Sequence, residues 1–242
     1  MEPVIRYQLT SPMHLTLGPD EIQRRLAVLK TLAGPGIQLE AKALTGGPGA
    51  IESARDAALV VPELLIRGQE AQEQGVAALI VGCFSDPGLG PLREVLDIPV
   101  VGPGSSAMHL AAQLGGRFAV LSPRQPGSRA VLQARGLGLE GCYAGSYGVD
   151  IPVLAFGRDP AATLGHLAER GQAVLATSGA DTLVLGCMSM AFSGAAEILS
   201  EDLQVPVVNP VAAAVHQARG LVAMKLSHSR RAYPAPPGQT VY

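Results

Sequence analysis

Two hydrophobic periods alternate along this chain. Short runs that are almost wholly apolar give way to longer stretches in which apolar residues return every three or four positions. The first kind predicts strands over 4–9, 38–44, 77–82, 98–101, 118–121, 182–186 and 205–208, with extended chain over 145–154. The second kind predicts helices over 51–61, 62–74, 91–96, 105–114, 124–136, 161–177, 195–203 and 212–224. An earlier helix is capped by Asp20, places Ile22, Leu26 and Leu29 on one face and stops before Gly34-Pro35-Gly36. Thr45-Gly46-Gly47-Pro48-Gly49 predicts a loop, and the tail from Ser227 through Gly238 predicts irregular chain laid across a surface.

Strands alternating with helices predict parallel sheets with helices on both faces. A repeat divides them. Leu79-Ile80-Val81-Gly82-Cys83-Phe84-Ser85 returns as Leu183-Val184-Leu185-Gly186-Cys187-Met188-Ser189, and Pro99-Val100-Val101-Gly102-Pro103 returns as Pro206-Val207-Val208-Asn209-Pro210. Eight of these twelve aligned positions are identical. The expected fold is therefore α/β, with two pseudo-symmetric Rossmann-like lobes and the active site in the cleft between them. Residues 1–104 plus 210–242 are expected to form the first lobe and 105–209 the second, the last helix packing back onto the first lobe.

Each copy delivers a cysteine to the carboxyl end of a strand, where ligands bind in open α/β sheets. A buried cysteine at a strand end is ordinarily inert, but filler has no reason to recur at matched positions. A thiol entering the first turn of a helix meets unpaired N–H groups, which lower its pKa from about 8.5 toward neutrality. One thiolate and one thiol form a base and an acid, able to remove a proton from one face of a carbon and return it to the other. Ser85 and Ser189 either bind a carbonyl or carboxylate oxygen or cap their helices. Cys142 has no duplicate and reads as structural. His109 and His216 are duplicated well inside helices and read as packing or interface residues.

Composition narrows the field. A net charge of −2, no Trp and 4% aromatic residues exclude a nucleic-acid footprint and stacking platforms for bases. No apolar run reaches membrane-spanning length, and no signal peptide is expected from Met1-Glu2-Pro3-Val4. Three cysteines and no Cys-x-x-Cys argue against a disulfide scaffold and place the chain in a reducing cytoplasm. Five scattered histidines offer no metal-ligand spacing, so no metal site is expected. Gly102-Pro103-Gly104-Ser105-Ser106-Ala107 loosely fits a dinucleotide loop, yet its duplicate lacks the glycines and the next strand ends in Leu121-Ser122 rather than an acid. The expected partner is a small-molecule substrate, and a homo-oligomer is expected.

Several stretches resemble the aspartate/glutamate/hydantoin racemase superfamily, and within it the hydantoin racemase branch. They are Gly47-Pro48-Gly49-Ala50-Ile51-Glu52-Ser53, Val81-Gly82-Cys83-Phe84-Ser85-Asp86-Pro87-Gly88-Leu89, Leu185-Gly186-Cys187-Met188-Ser189-Met190-Ala191 and the two Pro-Val segments. The resemblance implies a cofactor-independent two-base mechanism with Cys83 and Cys187 as the acid/base thiols. It suggests Phe84, Ser85, Met188, Ser189, Ser122, Gly47 and Pro48 as substrate-binding residues. Related arylmalonate decarboxylases keep only the second cysteine. Where family members typically carry Asn-Pro-Asn-Thr, this chain reads Tyr7-Gln8-Leu9-Thr10-Ser11-Pro12. The expected reaction is racemisation of 5-monosubstituted hydantoins or related cyclic ureides, the apolar Phe84, Met188 and Met190 favouring a neutral ring with a hydrophobic substituent. The alternatives are an amino-acid (Asp/Glu-type) or allantoin racemase, a malonate-type decarboxylase, and a non-catalytic two-lobed binder.

Overall fold

The computed structural model describes residues 2–125, 127–156 and 160–237. The chain forms two compact units. The first comprises residues up to Gly82, Asp86–Gly102 and Val215 onward; the second comprises Cys83–Ser85 and Pro103–Ala214.

In the first unit, β1 (Val4–Leu9), β2 (Gln38–Lys42), β3 (Ala78–Gly82) and β4 (Val100–Val101) form a parallel sheet in the order β2-β1-β3-β4. Its helices are α1 (Met13–Thr16), α2 (Pro19–Ala33), α3 (Ala54–Leu59), α4 (Val61–Glu73) and α5 (Leu89–Val95). In the second unit, β5 (Phe118–Ser122), β6 (Tyr143–Gly148), β7 (Thr182–Leu185) and β8 (Val207–Val208) repeat the plan in the order β6-β5-β7-β8, again parallel. The helices that follow the fourth strand of the first sheet are α6 (Pro103–Leu114), α7 (Ser128–Gly136), α8 (Pro160–Ser178), α9 (Met188–Ala191) and α10 (Ala195–Leu203), and α11 (Pro210–Ala223) runs from the second unit back into the first. Within the first unit Arg219 of α11 donates to the Ala33 carbonyl at the end of α2. These are two pseudo-symmetric α/β lobes, each with a parallel sheet flanked by helices.

Burial explains why the central strands were legible. Every residue of β3, β5 and β7 is buried, as expected for strands covered on both faces, so each reads as a continuous apolar run. The edge strand β2 carries Gln38, Glu40 and Lys42 because one side remains open. Arg6 lies opposite Glu40 in the β1–β2 register and, though almost wholly buried, pairs with that carboxylate and with Gln74. The repeat also reaches positions the sequence comparison left unmatched. A Cβ on Gly68 of α4 would lie 2.8 Å from Leu92, and one on Gly171 of α8 would lie 2.8 Å from Leu203, so both helices lie close against their own unit's packing layer through a glycine. Pro99 and Pro206 have no N–H to give, but their carbonyls each accept at 2.9 Å, from Leu79 and Leu183, and so start the pairing of β4 and β8.

Several boundaries differ from the sequence reading for local reasons. The first long helix starts from Gly18 as N-cap with Pro19 at its first turn, so Asp20 lies inside rather than capping it. The helix expected over 51–61 begins at Ala54, because Ser53 and Asp56 close a reciprocal capping box. The helix expected from Arg124 begins at Ser128, after Gly127 at a φ of +60°. Helix α5 starts two residues early from Gly88, whose φ is +73°. The four-residue α1 and α9 were too short to show a period.

The tail adopts neither helix nor strand from Ser227 to Pro237 and packs on the first unit beside β4; Gly238 lies outside the described residues. Edge strand β4 gives its Val100 N–H to His228 Nε2 at 2.8 Å, and Arg230 binds the carbonyls of Arg93, Glu94 and Leu96. Burial, then the charges of Arg93 and Arg230, push the His228 pKa from 6.5 down to about 4. The folded pKa lies below the ordinary one, so the released tail takes up the proton more readily than the docked tail. The clasp is at full strength above pH 6.5 and weakens as pH falls toward 4. Proteolysis of residues 227–237 should therefore accelerate as pH is lowered through that window. His228→Gln, which keeps an acceptor but cannot titrate, should remove the pH dependence.

Candidate active site

Both sequence-nominated thiols follow a glycine, and the structure shows why. A Cβ on Gly82 would lie 2.7 Å from the Tyr7 ring and 2.9 Å from the Gln8 carbonyl oxygen. A Cβ on Gly186 would lie 2.7 Å from Val120, 2.8 Å from the Leu121 oxygen and 2.9 Å from Ser122 Oγ. At the end of each third strand the backbone thus runs hard against the neighbouring first strand, and the next residue is the cysteine. Gly186 N–H also donates to the Leu121 carbonyl at 2.7 Å, extending the β5–β7 pairing to the residue before Cys187.

Beyond the glycines the copies part. Cys187 is the N-cap residue of α9, with extended backbone (φ −151°, ψ 135°), and its carbonyl accepts from Ala191 N–H at 2.9 Å. It is 7% exposed and packs in the second unit's core with Met190 and Ala195. Cys83 is half-buried and enters a turn; the next helix begins only at Leu89. The expectation that both thiols meet the first turn of a helix therefore holds for Cys187 and not for Cys83. At Cys83 a side chain stands close instead: Ser85 Oγ lies 3.2 Å from the sulfur. Ser85 caps no helix, since it lies in that turn, whereas Ser189 falls inside α9 and is buried.

The remaining nominated residues divide by place. Ser122 ends β5, is buried, and stands against the Gly186 backbone, one residue from Cys187. Phe84 and Met188, each following a cysteine, are buried, and Met190 is wholly so. Gly47 is exposed and Pro48 half-buried in the 45–49 loop of the first unit, with Gly47 at a φ of +98°. Glu63 holds that loop by accepting from the Thr45 N–H and hydroxyl, both at 2.7 Å, and from Gly46 N–H at 3.4 Å. Burial opposes ionisation of Glu63, but these donors and Arg67 outweigh it and hold the carboxyl below its ordinary 4.5. His109 and His216 are exposed rather than packed, and His109 Nδ1 lies 2.8 Å from the Ser105 carbonyl of its own helix. Among the described residues no group of three or more His, Cys, Asp and Glu is placed to hold a metal ion, and no helix is long and apolar enough to cross a membrane.

Two residues around the thiols escaped the sequence reading. Asn209 accepts from Val211 N–H (2.9 Å) and Ala212 N–H (3.3 Å) as the cap of α11, and donates to the Ala191 carbonyl at the end of α9 (3.1 Å). An Asn before a Pro at a helix start is a cap signature that could have revealed it. Gln133 of α7 donates to the Phe84 carbonyl at 2.9 Å, and a glutamine inside a helix carries no such signature.

Comparison with known proteins adds a family. Residues 22–218 match the family described as Asp/Glu/Hydantoin racemase. A hydantoin racemase of Pseudomonas sp. (strain NS671) is 33% identical over 195 residues, 80% of this chain and 77% of its own. One from Rhizobium meliloti is 34% identical over 180 residues, 74% of this chain and 73% of its own. The solved structure of an allantoin racemase from Klebsiella pneumoniae superposes with a TM-score of 0.90 at 27% identity, covering 99% of this chain and 96% of that one.

The crowding at Gly186 sets a test. Gly186→Ala should cost about 1–3 kcal/mol through overpacking against β5, lowering Tm by roughly 2–10 °C. Differential scanning calorimetry measures this directly, and Gly136→Ala, at a helix position where a Cβ meets nothing within 4 Å, is the control.

Proposed function

Because the chain belongs to the Asp/Glu/hydantoin racemase family and is an isomerase of the racemase type, we propose that it inverts the C5 stereocentre of a hydantoin ring, with Cys83 and Cys187 as the two acid/base groups. Allantoin, the hydantoin that bears a ureido group at C5, has first claim as substrate. Two observations favour it. The likeness to an allantoin racemase extends over 99% of this chain. Met190, whose apolar side chain had argued for a hydrophobic substituent, is wholly buried and unavailable to a ligand. Other 5-monosubstituted hydantoins share the reacting ring and remain the second reading, on the strength of the hydantoin racemase relatives.

The chemistry follows from the ring. The C5 hydrogen is acidified by the adjacent C4 carbonyl. One thiolate takes it, and the electron pair moves into the C5–C4 bond and onto the carbonyl oxygen. The opposite thiol then gives its proton to the other face of C5, leaving the thiol and thiolate roles exchanged. Of the two serines expected to bind a carbonyl oxygen, Ser189 is assigned to the developing oxyanion, since Ser85 stands on the Cys83 sulfur. The observation that carries the reading is the retention of both sulfurs after equivalent Gly-ended strands, one of them with a serine hydroxyl 3.2 Å away. A hydroxyl that donates to a sulfur favours its thiolate, and Ser85 Oγ, 3.2 Å from Cys83 Sγ, is placed to do so. Both cysteines must stay reduced for this work, which suits the cytoplasm.

Pure enantiomers of allantoin and of 5-substituted hydantoins, incubated with the enzyme in D2O, should lose optical rotation above the uncatalysed rate and gain one deuterium at C5. Cys83→Ser and Cys187→Ser should each lower kcat/KM by about 10³-fold or more. Full racemisation by either variant would overturn the two-thiol assignment. Release of CO2 from an arylmalonate, without exchange at any hydantoin, would replace racemisation by decarboxylation.

A further inference from the structure

The two thiols follow equivalent strands, yet only one of them is steadied by a helix. After Cys187 the chain is held by hydrogen bonds internal to and beside α9, Ala191 N–H to the Cys187 carbonyl and Phe192 N–H to the Met188 carbonyl, each at 2.9 Å. After Cys83 there is no helix until Leu89. In the turn that carries Cys83, the Phe84 carbonyl oxygen is held from outside the turn. Gln133 of α7 donates its Nε2 to that oxygen at 2.9 Å across 49 positions of sequence. The first turn of α6 closes on the same oxygen: a Cβ on Gly104 would lie 1.9 Å from it and 2.5 Å from Gln133 Nε2. All of these groups belong to the second unit.

A trans peptide is planar, so fixing the Phe84 carbonyl also fixes the direction of the Ser85 N–H and the placement of the Ser85 Cα. The Ser85 hydroxyl, 3.2 Å from Cys83 Sγ, hangs from that Cα. The Phe84 ring, itself buried, anchors the turn from its other end. We propose that Gln133 and Gly104 are positioning residues for Cys83, holding the Phe84 carbonyl so that the Ser85 hydroxyl stays on the sulfur. This rests on the reading of Cys83 as one of two acid/base thiols. It implies that the two thiols, alike in sequence, are supported by unlike means and can be disturbed one at a time.

Three variants test it. Gln133→Leu removes the donor, Gln133→Glu keeps the shape but puts a carboxylate against the carbonyl, and Gly104→Ala forces the oxygen to move. Two measurements are made on each. In racemisation, kcat should fall roughly tenfold with KM changed less than about twofold, because reactive geometry is lost while the substrate contacts remain. Without substrate, iodoacetamide labelling at one fixed pH, resolved by peptide mass spectrometry, should slow roughly tenfold at Cys83 and not at Cys187.

The inference is overturned if Gln133→Glu behaves as wild type, or if labelling of both thiols slows equally, which would mark a general loss of structure. Failure of wild type to racemise any hydantoin, with selective slowing at Cys83 still observed, would strike the functional reading and leave the positioning of Cys83 standing.

Discussion

The site hangs on a steric constraint, the closeness of each third strand's last residue to the first strand beside it. Gly82 lies against Tyr7 and the Gln8 carbonyl, and Gly186 lies against Val120, the Leu121 carbonyl and Ser122. No larger residue fits at either place without moving a neighbouring strand that is buried at the point of contact. The chain can therefore leave each sheet only through a glycine, and what it delivers next is the sulfur. Tight packing of a parallel sheet and the placement of the two sulfurs are here one and the same requirement.

Duplication gave both halves that exit, and divergence then treated them differently. In the second half an Asn follows the fourth strand, and Asn209 ties the start of α11 to the end of α9, so the backbone around Cys187 is bonded within regular structure. In the first half the equivalent residue is Gly102, where the Asp86 carboxylate stands so close that a Cβ would lie 2.5 Å from its Cγ. Asp86 itself takes a left-handed φ of 51°, part of the tight turn that replaces a helix after Cys83. A half-buried thiol in a turn and a buried thiol at the N-cap position of a helix differ in solvation and in their surroundings. A reaction that alternates between them need not be symmetric in its steps, although equal free energies of two enantiomers require equal catalytic efficiency in both directions.

Much of this was readable from residues alone, for identifiable reasons. Strands buried on both faces are apolar without interruption, so β3, β5 and β7 announced themselves, and Ala195–Leu203 showed its helical period plainly enough to be placed at its observed bounds. Local capping was harder. The Ser53–Asp56 box and the glycines at 18, 88 and 127 shifted helix starts by several residues, because caps depend on backbone angles that hydrophobic periodicity does not report. The helix-first-turn argument for Cys83 failed for a similar reason, since its matched sequence to Cys187 ends just where Asp86-Pro87-Gly88 directs the chain into a turn.

By itself the sequence determined the alternation of strands and helices, the internal repeat and the pair of cysteines at strand ends, since these depend on periodicity and on matches between neighbouring letters. Only the tertiary structure decided that Ser85 reaches the sulfur of Cys83, that Gln133 and Gly104 meet at one carbonyl, and that the tail closes the edge of β4 through His228. Those contacts join residues far apart in the chain, and their partners are chosen by the distances and directions that folding sets, which no local pattern of letters encodes.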